Sequence, residues 1–543
     1  MTLAVSPEKT VAAQIPLIDV ETLADLLADP SESAVVDVRD EGVYGRDGHI
    51  LLSVPLPLSL LELRAALLLP RKGVRVIVTD AGDGVLAARA AQKLKAFGYS
   101  DVSLLDGGVA AWRASGREVY TGSGAYSKAF GEFVEHAYGT PHLSAAELKR
   151  KLDAGEDVVV VDGRTIKEFE NFSIPGAYAV PNAELPYRVH DLLPSDDTLV
   201  VVNCAGRTRS IIGAQALINA GLPNRVVALE NGTMDWLKEG YRLESGVVRH
   251  APSPSDAALA KARASVDRLT ERFGIRWLDD EALDALRAES EARTLYLYDV
   301  RTRGEFEAGH LAGSHWAEGG QLVQALDKFA AVRNGRIVVI DDADGVRAAI
   351  TASWLIQLGW GEVFAHRLIA AGLETGPDRI PLASPVPAAE TVTAERLKAL
   401  LASGETSVID LADSLTYEAG HIPGAVFAVR SRLGDDADRL PSKALVLTSP
   451  DGALAGFAAP ELAALLGRQV RVLTGGTAAW RAAGHDLETG ATALHHAAED
   501  VWRSPYQVAG ERQQAFKAYL DWEVDLLNQI QRDGAVERFA VFK

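Results

Sequence analysis

The chain contains one cysteine, and Cys204 opens the segment Cys204-Ala-Gly-Arg-Thr-Arg209. An apolar run, Leu199 to Val202, precedes the thiol and is typical of a buried strand, and a helical pattern follows from Ser210 to Ala220. The thiol is therefore predicted to lie on a tight loop between a strand end and a helix start. Backbone N–H groups of such a loop point at its centre, and the helix N-terminus adds partial positive charge.

Two arginines in this loop, Arg207 and Arg209, add full positive charges beside the thiol. Cationic neighbours and a helix N-terminus lower the pKa of a cysteine and favour the thiolate, which is the reactive form. The same groups favour an anion bound against the sulfur. The alternative is a buried structural cysteine, the commoner state of an unpaired thiol. The polar, cationic neighbours favour the reactive interpretation.

The loop Cys204–Arg209 resembles the active-site loop of rhodanese domains, a family of sulfurtransferases. Upstream, the segments Asp162-Gly-Arg-Thr-Ile-Lys-Glu-Phe169 and Ile174-Pro-Gly-Ala177 resemble the family's first motif, and Glu230-Asn-Gly-Thr-Met-Asp-Trp236 resembles its closing motif. One departure is Phe172-Ser173, where the family usually carries Gly-His. Related phosphatases of this fold carry a loop one residue longer, so the length here favours sulfur over a phosphate ester.

The resemblance implies a double displacement through a Cys204 persulfide. A small anionic donor, with thiosulfate foremost, would give its outer sulfur to a thiol or to cyanide. The expected substrate-binding residues are Ala205, Gly206, Arg207, Thr208 and Arg209. The expected supporting residues are Asp162, Arg164, Asn203 and Ser210, with an ion pair between the first two. No metal and no cofactor is expected.

Motifs of this kind occur four times, at a period of about 120 residues, which is the size of a domain rather than of a solenoid repeat. The first motif recurs as Asp37-Val-Arg39 with Gly48-His-Ile50, as Asp299-Val-Arg301 with Gly309-His-Leu311, and as Asp410 with Gly420-His-Ile-Pro-Gly-Ala425. The closing motif recurs as Asp106 to Trp112 and as Thr474 to Trp480, and the third copy has His366-Arg-Leu368 in its place.

Each copy alternates short apolar runs with helical stretches, which predicts a parallel sheet covered by helices on both faces. The predicted fold class is α/β: four rhodanese-like doubly wound domains and a helical C-terminal tail. The predicted boundaries are 14–122, 140–248, 272–378 and 387–490 for the domains and 491–543 for the tail. Predicted connections are 123–139, the helical stretch Asp256 to Phe273, and the run Pro381 to Pro387. Aromatic residues of the tail are expected to pack on a neighbouring domain, namely Trp502, Tyr506, Tyr519, Trp522 and Phe539.

The other three copies have no thiol. Thr79-Asp80, Asp341-Asp342 and Thr448-Ser449 stand where the second copy has Asn203-Cys204, and the arginine pair is missing from the residues that follow. A carboxylate is a poor sulfur acceptor and repels an anionic donor, so these copies are predicted to be inactive. A cation site at Asp80 or Asp342 is the alternative to a solvated acid near a helix start, which is favoured because carboxylates suit helix N-termini.

The composition, 48% hydrophobic and 24% charged, is ordinary for soluble proteins. No apolar run approaches ~20 residues, and the N-terminus lacks a basic start with an apolar core, so neither a membrane span nor a signal peptide is predicted. The net charge of −19 disfavours nucleic acid and anionic lipid as partners. A single cysteine fits a reducing cytoplasm. The oligomeric state is left open, a homodimer being one option.

Other interpretations stay open. A non-enzymatic scaffold, or a sulfur or redox sensor, would suit a chain with three silent copies. Mercaptopyruvate and glutathione persulfide are alternative donors because both are anionic. A phosphatase is disfavoured by the loop length, and a metal pair at His495-His496 is disfavoured because adjacent residues of a helix face different ways.

Overall fold

The computed structural model of this chain describes residues 15–369, 372–508 and 510–542. Gln14, the first residue of the first predicted domain, lies outside these ranges, as do Ala509 and Lys543 of the predicted tail. Within them the chain forms four sheets of five strands each, and the paired strands run parallel. The fold is α/β, as the alternation of apolar and helical segments predicts.

The first two domains repeat one order of elements. The first contains β1 (Leu17–Ile18), α1 (Val20–Ala28), β2 (Ser33–Asp37), α2 (Glu41–Asp47), β3 (Ser53–Pro55), α3 (Leu61–Leu68), β4 (Arg75–Thr79), α4 (Val85–Ala96), β5 (Asp101–Leu105) and α5 (Gly108–Ala114). Between the first and second domains lies α6 (Ala125–Tyr138). The second contains β6 (His142–Leu143), α7 (Ala145–Asp153), β7 (Val158–Asp162), α8 (Ile166–Asn171), β8 (Tyr178–Ala179), α9 (Leu185–Arg188), β9 (Leu199–Asn203), α10 (Thr208–Ala220), β10 (Val226–Leu229) and α11 (Gly232–Lys238).

The last two domains follow α12 (Asp256–Phe273) and repeat the pattern. The third contains β11 (Arg276–Leu278), α13 (Asp280–Ala288), β12 (Leu295–Asp299), α14 (Arg303–Ala308), β13 (His315–Trp316), α15 (Gly319–Gln324), β14 (Arg336–Asp341), α16 (Val346–Leu358) and β15 (Glu362–Arg367). The fourth contains β16 (Glu390–Val392), α17 (Ala394–Ala402), β17 (Thr406–Asp410), α18 (Ser414–Ala419), β18 (Val426–Phe427), β19 (Ala444–Thr448), α19 (Ala453–Leu466), β20 (Val470–Leu473) and α20 (Gly476–Ala482). The strand orders are β1-β5-β4-β2-β3, β6-β10-β9-β7-β8, β11-β15-β14-β12-β13 and β16-β20-β19-β17-β18.

The segments before the second and third domains, and the tail after the fourth, contain packed helices rather than exposed linkers. The predicted connection 123–139 is mostly the helix α6, which is buried along much of its length. The tail is helical in α21 (Arg512–Arg532) and in a 3-10 turn at Ala535–Arg538. The prediction of a helix from Ala491 onward was wrong for 491–508, which forms bends and turns and bridges the fourth sheet at Leu494: the N–H of Phe427 donates to the carbonyl of Ala493.

The second sheet brings polar residues to one edge. Its central strands β7 and β9 are built mainly from valine, which suits a strand covered on both faces. Their register pairs Asp162 with Asn203 at the carboxyl ends of the two strands. Cys204 follows at once, so the sheet delivers the thiol to the edge where parallel α/β sheets bind ligands.

Candidate active site in the second domain

Cys204 lies where β9 ends, four residues before α10 begins at Thr208. Its side chain is buried, with 2% of the residue exposed. Among the described residues, the backbone N–H groups of Ala205, Gly206 and Arg207 donate to no protein acceptor. The loop therefore holds free N–H donors and a helix N-terminus around the sulfur, an arrangement that favours an anion.

A buried network fixes the strand ends beneath the loop. Arg164 and Asp162 form the expected ion pair, with Nε 2.9 Å from Oδ1 and Nη2 2.8 Å from Oδ2, and both side chains are fully buried. The Nδ2 of Asn203 donates to the same Asp162 carboxylate at 2.7 Å. These contacts join β7 to β9 immediately before the cysteine, so all three residues support the loop without contacting solvent.

A glycine of the closing motif makes room for the loop from the other side. Gly232 has a φ of 54°, and a Cβ at this position would lie 2.2 Å from the Cys204 carbonyl oxygen. The start of α11 therefore packs directly on the cysteine's backbone, and the N–H of Thr233 donates to that carbonyl at 2.9 Å. Only glycine combines this backbone angle with so close an approach.

The predicted lowering of the Cys204 pKa was wrong. Burial is the largest influence and raises the pKa of the thiol above its ordinary value. Arg209 and hydrogen bonding from Ser210 oppose this rise, whereas the carboxylate of Glu523 adds to it. The sequence prediction counted the loop cations but not the burial of the sulfur or the acid from the tail.

The guanidinium of Arg207, predicted to bind the donor, forms hydrogen bonds to protein acceptors. Its Nε donates to Glu132 at 2.7 Å, its Nη2 donates to Glu132 at 2.8 Å and to Glu135 at 2.5 Å, and its Nη1 donates to Asn231 at 3.2 Å. Every guanidinium nitrogen is thus engaged by protein acceptors. Burial raises the pKa of Glu132 to about 7 although Arg207 opposes the shift. Arg207 therefore ties the loop to α6, the helix predicted as a linker.

Of the two loop arginines, Arg209 is the one whose positive charge lowers the pKa of Cys204. Its two terminal nitrogens donate to Glu168 at 2.7 and 2.8 Å, while its Nε has no acceptor among the described residues. Burial alone would raise the pKa of Glu168, but the pair with Arg209 lowers it to about 2. Glu168 also closes the capping box of α8 with Thr165. The first motif thereby orients the arginine that follows the cysteine.

The remaining loop residues are covered by the C-terminal tail. The hydroxyl of Tyr506 donates to the carbonyl of Ala205 at 3.2 Å. A Cβ on Gly206 would lie 3.3 Å from Glu523 Oε2. Thr208 donates to Glu523 Oε1 through its backbone N–H, at 3.3 Å, and its hydroxyl, at 2.5 Å. The hydroxyl of Ser210 is turned inward and donates to the carbonyl of Arg207 at 2.8 Å. The sequence analysis named Tyr506 as an aromatic that packs on a neighbouring domain, but not its contact with the loop, and it missed Glu523.

The departure at Phe172-Ser173 marks where the tail docks. The histidines at the equivalent position of the other copies stack on an aromatic ring, with centroids 3.8 Å apart for Tyr44 and His49. In the second copy Phe172 instead packs on Tyr506, with centroids 4.9 Å apart. The exchange removes the stacked histidine and gives the tail an aromatic contact beside the Cys204 loop.

Comparison with known proteins agrees with this geometry. The sequence model of the rhodanese-like domain matches residues 19–115, 144–239, 280–367 and 393–483. The chain belongs to the rhodanese family. The solved structure of a thiosulfate sulfurtransferase from Pseudomonas aeruginosa is similar over 97% of this chain and 100% of that one, with 42% identity and a TM-score of 0.92.

Shorter relatives match parts of this rhodanese chain. A sulfurtransferase from Allochromatium vinosum is 31% identical over 98 residues, which is 18% of this chain and 89% of the relative. The putative sulfur carrier protein YrkF from Bacillus subtilis is 28% identical over 134 residues, which is 23% of this chain and 71% of the relative. Within the described residues, each helix is too short or too polar to traverse a lipid bilayer.

In the third rhodanese domain, the residue equivalent to Cys204 differs from the one predicted from the sequence. The register pairs Asp299 with Ile340 as it pairs Asp162 with Asn203, so Asp341, not Asp342, occupies the position of Cys204. The prediction was one residue out because the helix begins five residues after Asp341, against four after Cys204. Sequence spacing alone does not reveal which strand residue is last.

The third copy was predicted to lack both loop arginines, but it keeps one of them. Arg347 is the second residue of α16, as Arg209 is of α10, and it donates to Glu305 at 2.8 Å, as Arg209 does to Glu168. Its Nε lies 2.9 Å from Asp341 and its Nη2 2.6 Å from Asp342. The third domain thus keeps one arginine and neutralises it internally.

The predicted acids serve as helix caps. Asp80 is buried and accepts from the N–H groups of Gly82, Gly84 and Ala87 at 2.9, 3.2 and 3.0 Å. Asp342 accepts from the N–H of Asp344 at 2.9 Å and pairs with Arg347. Asp80 is thus surrounded by N–H donors and the carboxylate of Asp342 already has Arg347 as its cation, and Asp80 is buried rather than solvated as expected.

His495 and His496 do converge, contrary to the sequence argument, because they lie on an extended segment rather than a helix. Both Nε2 atoms lie near Asp436 Oδ1, at 3.1 and 3.2 Å. The N–H of Val429 donates to Nδ1 of His496 at 2.9 Å, which places the proton of the neutral ring on Nε2. That nitrogen donates to Asp436 and has no lone pair for a metal.

Proposed function

We propose that the second rhodanese domain transfers sulfane sulfur through Cys204, from a small anionic donor, thiosulfate foremost, to a thiol or cyanide. The observation that carries the proposal is the position of the lone cysteine among free backbone N–H donors at the start of α10. The similar Pseudomonas protein is a thiosulfate sulfurtransferase, and the Allochromatium relative is a sulfurtransferase, which supports the same activity here.

In the first step the Cys204 thiolate attacks the outer sulfur of thiosulfate. The bond between Cys204 Sγ and that sulfur forms, the sulfur–sulfur bond of thiosulfate breaks, and sulfite leaves with the electron pair. The enzyme is then a Cys204 persulfide. The N–H groups of Ala205, Gly206 and Arg207, which have no acceptor among the described residues, stabilise its negative charge.

In the second step a thiolate or cyanide attacks the outer sulfur of the persulfide. Cyanide yields thiocyanate, and Cys204 returns as the thiolate. No second cysteine exists in the chain, so an internal disulfide cannot form and the sulfur must leave to an external acceptor. A reducing cytoplasm, where a lone thiol stays free, suits this cycle.

Arg209 is the residue assigned to the donor's oxygens, because its Nε has no acceptor among the described residues and its charge lowers the pKa of the thiol. Arg207, fully engaged by Glu132, Glu135 and Asn231, holds the loop in place instead. Asp162, Arg164, Asn203 and Ser210 support the loop from within the domain.

A scaffold or a sulfur sensor is the second candidate, and the closure of the tail over a thiol that is 2% exposed favours it. Mercaptopyruvate and glutathione persulfide are alternative donors within the enzymatic proposal. A sensor would keep the persulfide, whereas a transferase would pass it on, so turnover separates the two.

The test is intact mass spectrometry after incubation with each donor in turn. We expect thiosulfate to add one sulfur, ~32 Da, to the wild-type chain and nothing to Cys204→Ser, and cyanide to remove the adduct as thiocyanate. Turnover of thiosulfate and cyanide should fall below about 1% in Cys204→Ser with the fold retained, because a serine alkoxide is far harder to form. Wild-type protein that gains no adduct from any donor contradicts the proposal.

A further inference from the structure

Glu523 brings a carboxylate from α21 to the N-terminus of α10. The residue is 1% exposed, and its Oε1 accepts both hydrogen bonds from Thr208. Its Oε2 is buried and has no hydrogen-bond partner among the described residues. The same oxygen lies 3.3 Å from where a Cβ of Gly206 would be. An unpaired carboxylate oxygen is therefore directed onto the loop that holds Cys204.

The charges around the loop leave Glu523 unmatched. Each arginine of the site has its own carboxylate partner: Arg164 pairs with Asp162, Arg207 with Glu132 and Glu135, and Arg209 with Glu168. Glu523 forms no ion pair within the described ranges. Glu523 also acts on Lys128, whose pKa it raises against the lowering by burial; Lys128 donates to the carbonyl of Ser123 and packs over the rings of Tyr519 and Trp522.

Apolar side chains fix this carboxylate in place. Phe516 and Leu520 of α21 pack with Met234 of α11, and Tyr506 and Tyr519 border the same cluster. Phe516, Leu520, Leu527 and Ile530 occupy one face of the helix, at helical spacing. Glu523 is on that buried face too, so its charge is held against the loop by the packing of the whole helix.

We infer that Glu523 determines which sulfur donors reach Cys204, by occupying with its own negative charge the position where the proposed anionic donor binds. A dianion such as thiosulfate is repelled by this carboxylate, whereas an uncharged reagent meets no repulsion from it. The inference rests on the proposed function for the identity of the donors. It does not rest on it for the charge selection, which any reagent that attacks the thiol can report.

The test compares two alkylating reagents of similar size and different charge. Iodoacetate is an anion and iodoacetamide is neutral, and because Cys204 is the only cysteine, intact mass reports its modification directly. Glu523→Gln keeps an oxygen for the bonds from Thr208 and removes only the charge. We expect the ratio of the iodoacetate rate to the iodoacetamide rate to rise by about tenfold or more in this variant.

The matched control is Asp525→Asn, which removes an exposed acid from the same helix and should leave the ratio at its wild-type value. A ratio in Glu523→Gln within twofold of wild type overturns the inference. Failure of both reagents to label either protein also overturns it, because the tail as a body and not the charge would then close the site.

Steady-state kinetics with thiosulfate separate this inference from the proposed function. If both hold, Glu523→Gln should lower the KM for thiosulfate several-fold with a smaller change in kcat. If the alkylation ratio changes as expected and thiosulfate still gives no persulfide in either protein, the charge selection stands and thiosulfate is the wrong donor. If the persulfide forms and the ratio does not change, the proposed function stands and the role of Glu523 does not.

Discussion

The second and third rhodanese domains place different groups at one position of the same fold. In the third, the carboxylate of Asp341 accepts the N–H groups of Arg347 and Ala348 at 2.8 and 3.0 Å. In the second, Cys204 occupies that position and the loop N–H groups remain free. The third domain thus fills the position after its fourth strand with its own carboxylate, at the place where we propose that the second domain binds an anionic donor.

The two domains also differ at the arginine in the second position of the following helix, which has more carboxylate partners in the third domain than in the second. Arg347 is fully buried and is shared among Asp341, Asp342, Glu305 and Glu184, the last of which comes from the second domain. Arg209 pairs with Glu168 and keeps a free Nε. The position that we propose binds the donor in the second domain therefore joins two domains in the third, which gives the third copy a structural role.

The largest effect that tests this comparison is on stability. Arg347→Met leaves several buried or half-buried carboxylates without their cation, and we expect the free energy of unfolding to fall by about 3–5 kcal/mol. Urea denaturation followed by tryptophan fluorescence measures the change. Arg303→Met, at an exposed position of the same domain, is the control and should change stability little. A loss below about 1 kcal/mol for Arg347→Met would contradict the clamp.

The next effect is on donor use. Arg209→Ala should reduce kcat/KM for thiosulfate by the equivalent of about 1.5–3 kcal/mol, because a charge-assisted contact is lost. Arg207→Ala should reduce it less and should lower the melting temperature more, since Glu132 loses its partner in a buried position. Initial rates at saturating cyanide, with thermal melting in parallel, distinguish the two variants. Equal losses of kcat/KM would mean that both arginines meet the donor.

A smaller effect concerns the pH dependence of Cys204. Because burial raises the pKa of the thiol, its rate of alkylation by iodoacetamide should still increase as the pH rises from 7 to 9. Arg209 lowers that pKa, so Arg209→Ala should move the profile to higher pH, whereas Arg207→Ala should leave it in place. A rate that is already constant at pH 7 would show that the thiolate is formed there despite burial.

The smallest expected effect is in the first domain, where a new thiol should form no persulfide. Asp80→Cys, in a Cys204→Ser background, places a thiol at the equivalent position of the first domain. Its loop is one residue longer, contains Asp83 and lacks an arginine, so the thiolate is disfavoured and thiosulfate is repelled. Intact mass after thiosulfate treatment should reveal no persulfide. An adduct would make the first domain a latent enzyme that Asp80 alone keeps silent.

Four domains of one fold could be predicted from the sequence because each motif lies within a short stretch of chain. Asp162 and Arg164 are two residues apart, and Cys204 lies four residues before the start of α10. The strand alternation and the closing glycine are equally local. Such signals survive in a single sequence, since the residues that interact are also neighbours along the chain.

The predictions about the Cys204 site that were wrong concern residues that meet in the fold but lie far apart along the chain. Glu523 lies 315 residues from Thr208, and Glu132 lies 75 residues from Arg207. Nothing local predicts that these acids meet the loop, so the charge of the site and the pKa of Cys204 were misjudged. The alignment of Asp341 failed for a different reason: one inserted loop residue is invisible until the strand register is known.

The cover over Cys204 also sets an order of events during synthesis. Glu523 is made 315 residues after Thr208, which at ~5–20 residues per second takes roughly 15–60 s. Domains generally fold as units while the ribosome is still working. The second domain can therefore complete its loop long before α21 emerges. Each new molecule passes through an interval in which its only thiol is not yet covered by the tail.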